Sequence, residues 1–424
     1  MEEILSSYNF IIGFSIIIIL SFFFSEVARK TNIPSVLMLI ALGIGLQFGL
    51  EALGLGELDF FPILEVLGIV GLIMIVLEAA LELELKREKL LPIAIAFLVA
   101  LVGLGLSMWV AAIILQEFLG MSTESAWMYA TPLSILSSAI IIPSVSGLSE
   151  HKKEFHIYES TFSDILGIMV FYFLAGQLEA SEHSSGLTGF SLNLLLTLVI
   201  SVIASYLIIL IFQNIRSHTK LFMLIAVLLL LYAIGKKMHL SSLIIILIFG
   251  LLIANMNVFF SGRLSKWLHL EKANSIYEGL HVLTMEAAFV VRTFFFVIFG
   301  LTIALDSLGS LDVALISLLI LASIYLIRYL LLRVFVGKDI VPQLFIAPRG
   351  LITILLFYDI PDEATFPGFE SGILLFIIMG TSLIMTFGMI YDKRRSGQSI
   401  RQAMNTPIGY ERWKAPSIEE INKS

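Results

Sequence analysis

A chain of 424 residues that is 58% hydrophobic and only 14% charged, with a mean hydropathy of +0.98, holds more apolar surface than a soluble fold of that length buries. Its apolar runs are continuous, which excludes the alternating strands of a membrane barrel. Its net charge of −7 comes without a basic stripe interleaved with aromatics, which excludes nucleic acid as a partner, and the lack of cysteine removes disulfides, thiolate metal sites and cysteine nucleophiles.

The expected fold is an all-α polytopic membrane protein of about thirteen transmembrane helices. The first apolar run, about 8–26, has the acidic lead Glu2-Glu3 and reads as a retained span rather than a cleaved signal. The second, about 33–49, contains Gly45 and Gly49 at the spacing of a helix-packing motif. The third, about 62–82, carries Glu65 and Glu78; the fourth is about 91–116. The fifth, about 126–148, includes TPLSILSSAIIIPSVSG, with Pro132, Pro143 and several serines. The sixth, about 157–177, opens on Glu159-Ser160-Thr161-Phe162-Ser163-Asp164. The seventh to ninth, about 190–213, 220–235 and 241–260, hold no internal charge. The tenth, about 279–304, carries Glu286 and Arg292, and the eleventh, about 311–332, carries Arg328. The twelfth, about 341–358, is interrupted by Ala347-Pro348-Arg349-Gly350. The thirteenth, about 371–391, leads into a tail over 392–424, basic at Lys393-Arg394-Arg395 and holding Trp413, which reads as a short cytoplasmic, interfacial segment.

The loops alternate in charge. Those after odd-numbered spans carry Arg29/Lys30, Lys86/Arg87/Lys89, Lys152/Lys153, Arg216/Lys220, Arg263/Lys266/Lys272 and Arg333/Lys338. Those after spans two, four, six, ten and twelve lack Lys and Arg, and hold carboxylates such as Glu51, Glu57, Asp59, Asp306, Asp312, Asp362 and Glu363. Lys236 and Lys237, after span eight, are the exception. The positive-inside rule then sets a multi-pass protein of the cell (inner) membrane with its N-terminus outside and its C-terminus in the cytoplasm. An odd span count lets spans one to six and eight to thirteen form two inverted six-helix repeats, pairing span five with twelve and six with thirteen. Both members of the first pair look broken, and breaks at matching places in two repeats point to a transport site.

A carboxylate or guanidinium at membrane depth is costly and needs a reason. At about 1.5 Å per residue, Asp164 lies roughly 10 Å from the inner surface, and Arg349 slightly deeper. Arg328 comes out level with Glu159, so these two are expected to form a structural ion pair. Ser160 shares a face with Asp164, while Glu159 points about 140° away. Asp164 is then left without a fixed partner and is able to hold either a proton or a small cation with help from hydroxyls and carbonyls. The alternative is that Asp164 pairs with Arg349 and only fixes packing. Arg292 reads as half of a structural pair with Glu78 or Glu286.

These stretches together resemble the monovalent cation:proton antiporter superfamily, nearest its sodium/proton exchanger branch. Glu159-Ser-Thr-Phe-Ser163-Asp164 resembles the branch's Glu-Ser-x-x-Asn-Asp motif, LEAALEL with Glu78 its Phe-Glu-Gly-Gly-Leu-Asn-Leu, and IAPRGLITILL with Arg349-Gly350 its Gly-x-Arg-Gly. Arg328 stands where the family has the arginine that pairs with the motif glutamate. The likeness implies exchange of a monovalent cation (Na⁺, K⁺ or Li⁺) for protons, with the cation at Asp164, no cofactor, a lipid bilayer as surroundings and a homodimer. It implies an elevator-like movement of a core bundle (about 91–178 and 311–391) against a dimerisation bundle (about 1–90 and 190–304), within a transmembrane domain over 1–391. Two departures stand out. The family's Asn is Ser163 here, and the Thr-Asp-Pro of the first broken helix has no equivalent, its place being taken by Ser137-Ser138-Ala139. One carboxylate with several hydroxyls favours one cation per proton. The missing Asp leaves an alternative, an organic-solute/ion symporter of the same fold or a transporter-derived sensor. A membrane enzyme is not expected: Tyr358-Asp359 and Tyr391-Asp392 have no Gly-x-Gly-Asp partner, and the histidines fall in loops or at span ends.

Overall fold

The computed structural model describes residues 7–31, 33–52, 61–83, 85, 87–179, 187–215, 219–237, 242–260, 269–303 and 309–405. Glu65, Trp413 and the loop charges Arg29, Lys30, Glu57, Asp59, Lys86, Arg87, Arg216, Arg263, Lys266, Asp306, Arg394 and Arg395 lie outside the residues whose side chains are described.

Helices occupy all thirteen predicted spans, and no strand occurs among the described residues. In chain order they are α1 (Ser7–Thr31), α2 (Ser35–Ala52), α3 (Phe61–Glu82), α4 (Leu90–Leu119), α5 (Thr123–Ser134), α6 (Ser138–Ser144), α7 (Glu150–Glu179), α8 (Leu187–Phe212), α9 (Lys220–Lys237), α10 (Ser242–Ala254), α11 (Met256–Phe259), α12 (Leu270–Thr302), α13 (Leu311–Phe335), α14 (Leu351–Tyr358) and α15 (Ser371–Asn405). Among the described residues nine segments are long and apolar enough to cross a membrane, with α5 and α6 counted as one. The shorter α10 and α14 belong to spans that are interrupted along their length. The last helix does not stop at 391 but runs on to Asn405.

Side chains such as Ile19, Phe22, Leu196, Leu318 and Phe387 stay exposed, as they would toward lipid, where backbone polar groups must be satisfied within the helix but apolar side chains need no cover. The chain therefore forms a multi-pass helical membrane protein.

The helices sort into two packed groups. In the first, α12 lies against α2 and α3, and α10 against α3, α8 and α9, with α1 on α2. In the second, α4 packs on α5, α7 and α13; α6 and α5 pack on α7; α14 packs on α5; and α15 packs on α13. Among the described residues a thin seam joins the two, chiefly α3 with α7 and α14, α10 with α7, and α1 with α6. Within the first group α2 and α12 approach backbone to backbone: a Cβ on Gly43 would meet Val297 O and Gly300, and one on Gly300 would meet Ile40 O. Gly45 and Gly49 do not make this contact. Both face open space, so the packing role assigned to them belongs to Gly43, two residues before Gly45.

Candidate functional site

The fifth span breaks between its prolines rather than at them. Pro132 and Pro143 sit inside α5 and α6, and the extended residues Ile135, Leu136 and Ser137 separate the two half-helices. The twelfth span breaks at 346–350, in the predicted Ala347-Pro348-Arg349-Gly350 stretch. The two breaks cross: Ser137 N donates to Pro348 O at 2.9 Å. Gly350 is required at that crossing, because a Cβ there would come within 2.5 Å of Ser137 Oγ and 2.9 Å of Ile140 Cδ1. Gly167 makes the same concession from α7, where a Cβ would strike the Ile135 side chain.

Each break frees backbone groups that a membrane interior cannot solvate. They are satisfied in parallel ways. Ser163 Oγ, on α7, accepts from Leu136 N at 3.0 Å, and Thr381 Oγ1, on α15, accepts from Arg349 N at 3.0 Å. Arg349 is fully enclosed and turns its guanidinium onto carbonyls, with Nε donating to Leu133 O at 2.9 Å and Nη1 to Ala347 O at 3.0 Å. The C-terminal end of α5, where unpaired carbonyls concentrate negative partial charge, thus has a fixed cation. Pro143 removes the amide that would have bonded Ala139 O, and Arg292 Nη1 from α12 donates to that carbonyl at 2.9 Å. Arg292 also pairs with Glu78 of α3 at 3.1 Å. Glu286 is on the exposed side of α12.

Asp164 sits beside this crossing with 2% of its surface exposed. Its Oδ2 accepts from Ser138 N at 3.3 Å, at the start of α6. Its Oδ1 has no hydrogen-bond partner among the described residues. Arg349 spends its donors on carbonyls, so the ion pair that would make Asp164 a packing device is not formed. A small cavity adjoins Asp164 along the seam between the two helix groups, lined by Ile75, Val76 and Ala79 of α3, Ile168 and Met169 of α7, Leu243 and Leu247 of α10, and Ile352 of α14. Ser160 Oγ donates to His156 O at 2.7 Å.

Glu159, one and a half turns away, is held on every side. Arg328 of α13 grips it with both terminal nitrogens, Nη1 to Oε1 at 2.8 Å and Nη2 to Oε2 at 3.0 Å. Arg328 Nε donates to Gln343 O at 2.9 Å, in the turn that leads into the second break. His156 Nδ1 lies 3.1 Å from Glu159 Oε2 and is wholly buried. Reading histidines as loop or span-end residues missed it; the three-residue spacing to Glu159 on one helix face was the available signal. Thr381 was also missed, although a Thr-Ser pair within the apolar run FIIMGTSLIM marks it.

Comparison with known proteins gives the arrangement its place. The family model for the transmembrane sodium/hydrogen exchanger matches residues 15–390. No curated protein matches the chain. Two solved structures of the sodium proton antiporter MjNhaP1 from Methanocaldococcus jannaschii have a similar fold. One, at pH 8, superposes with a TM-score of 0.62 and 20% identity, covering 92% of this chain and 97% of that one. The other, from an electron-microscopy map, gives a TM-score of 0.63 and 16% identity, covering 97% and 100%. With the family model spanning nearly the whole helical part, this chain belongs to the sodium/hydrogen exchanger family of membrane cation/proton antiporters.

Proposed function

We propose that the protein exchanges one monovalent cation, Na⁺ in the first instance and K⁺ or Li⁺ as alternatives, for one proton, and that Asp164 is the group both ions use. The observation that carries this is the free Oδ1 of a buried carboxylate at the crossing of two broken helices. A buried carboxylate without an ion-pair partner calls for a counter-ion, and a proton and a small cation are the two that fit. They cannot occupy it together, and that competition makes exchange obligatory. The hydroxyls of Ser137, Ser138, Ser160 and Ser163 complete the proposed cation site. Ser160 and Ser163 keep acceptor lone pairs beyond the bonds they already make to the backbone.

Glu159 with Arg328, and Arg349 with the carbonyls of Leu133 and Ala347, hold the crossing in shape. Arginine keeps its proton in proteins, so neither contributes to the ion count. One carboxylate alternating between H⁺ and a monovalent cation carries the same charge both ways, which makes the cycle electroneutral. The thin seam supports an elevator-like mechanism in which the group around Asp164 (about 91–178 and 311–391) moves against the other (about 1–90 and 190–304). Moving this seam disrupts far fewer contacts than separating helices within either group. The family likeness supports a homodimer formed through the group over about 1–90 and 190–304. The charge alternation of the loops supports a cytoplasmic C-terminus in the cell membrane.

The test is a proteoliposome assay of proton movement as Na⁺, Li⁺ and K⁺ are added in turn. Movement driven by at least one of them and lost in Asp164→Asn is expected; none with any cation in the parent protein would overturn the proposal.

A further inference from the structure

We propose that Lys236, Asp359 and Tyr172 form a latch that closes the transport path on one face of the membrane, and that it must open before Asp164 exchanges its ion with that face. The inference deepens the antiport reading and rests on it. The face concerned is the one where α7 ends and α8 begins, whose loops carry carboxylates.

Asp359 caps the C-terminal end of α14, in the helix group that holds Asp164. Its Oδ2 accepts from Tyr172 Oη of α7 at 2.7 Å, within the same group. Its Oδ1 accepts from Lys236 Nζ at 3.3 Å, and Lys236 lies in the last turn of α9, in the other group. The pair therefore bridges the seam. A carboxylate at a helix C-terminus is opposed by the helix dipole, so α14 itself does not account for Asp359; the two donors do. Lys236 is also one of the two lysines that break the charge alternation of the loops.

The same three side chains line a cavity of ≈ 210 Å³ together with Gly68 and Leu72 of α3, Tyr232 of α9, Phe295 of α12 and Leu355 of α14. One turn deeper α3, α7 and α14 also line the cavity at Asp164, where α10 replaces α9 and α12: Leu72 gives way to Ile75 and Val76, Tyr172 to Ile168, and Leu355 to Ile352. The order along the seam is latch, cavity, one apolar layer, then Asp164. Displacing one helix group against the other parts Lys236 from Asp359. It leaves Asp359 and Tyr172 at the mouth of the opened path, where an unpaired carboxylate attracts a monovalent cation.

The chain has no cysteine, so a single introduced thiol reports access to the cavity without a background. Leu72→Cys, and independently Leu355→Cys, are labelled in vesicles by a neutral, membrane-impermeant maleimide added on the face of the latch. Lys236→Gln and Asp359→Asn are each expected to speed labelling about two- to fivefold, the range an exposed ion pair controls. The reversed pair, Lys236→Asp with Asp359→Lys, is expected to return the rate toward that of the parent. Unchanged rates at both reporters would overturn the latch, as would opposite changes in Lys236→Gln and Asp359→Asn, which would mark only the effect of nearby charge on the reporter's thiolate fraction. Labelling needs no transport. A parent protein without cation-driven proton movement but with the labelling response would sink the antiport reading and keep the latch, whereas intact exchange with no response would do the reverse.

Discussion

Glu159 and Asp164 stand five positions apart on α7, both almost fully buried, yet they live in different chemistry. Glu159 takes two bonds from Arg328 and a third contact from His156. Asp164 takes one bond from a backbone amide and keeps a free oxygen. On the proposed reading, burial is therefore not what marks an ion-carrying carboxylate. The number of fixed donors is: a carboxylate whose lone pairs are filled by protein is part of the frame, and one left short must find its partner among mobile ions.

The sharpest way to break that comparison is Asp164→Asn. Exchange is expected to vanish while the melting temperature in detergent stays at or above that of the parent, because the Asn oxygen can still accept from Ser138 N and the cost of burying an unpaired charge is removed. Full exchange by a folded Asp164→Asn protein, read from proton movement in proteoliposomes, would end the assignment.

Glu159 should fail in the opposite way. Removing either it or Arg328 strands the other charge, at a cost of roughly 3–5 kcal/mol for a fully buried pair. Glu159→Ala and Arg328→Ala are each expected to lower the melting temperature, and the double variant to lose less than their sum. Simple additivity in that cycle would show that the two do not act as a pair.

A smaller effect is expected at Ser163, which stands between the two carboxylates in sequence and serves the break. Ser163→Ala leaves the Leu136 amide unsatisfied, at about 1–3 kcal/mol. Ser163→Asn, which offers an acceptor in the same place, should recover part of that loss in thermal melts. Equal destabilisation by Ala and Asn would show that the amide does not depend on this side chain.

The least effect of all is expected from voltage. If Asp164 alone alternates, a full cycle moves no net charge, and a membrane potential worth about 2.3 kcal/mol per charge per 100 mV does no work on it. Exchange of Na⁺ or Li⁺ with the potential clamped by valinomycin and K⁺ should be flat across potentials. A rate or end-point that follows the potential would mean a second carboxylate, such as Glu78, also carries a proton.

Much of the frame was legible because membranes impose it. Spanning length, loop charge and the price of a charge in hydrocarbon act on local sequence, so the thirteen segments and the interruption at Pro348–Gly350 could be read from it. Equal depth brought Glu159 and Arg328 to one level. What depth counting lacks is azimuth, the direction each helix face turns, and that is set by packing. Hence Arg292 could be offered Glu78 or Glu286, and only the fold turns it to Glu78 and to the carbonyl that Pro143 leaves open. Lys236 stood out in the sequence as an exception without a reason; its partner lies 123 residues away, on a helix of the other group.

Composition and spacing by themselves determined that this chain is a many-helix membrane protein with a carboxylate where lipid disfavours one, since those properties follow from the solvent a segment must tolerate. The tertiary structure alone decided which carboxylate is left with a free oxygen. That depends on where Arg349 directs its donors, and Arg349 is drawn to the carbonyls of Leu133 and Ala347 because two broken helices expose them at the same point.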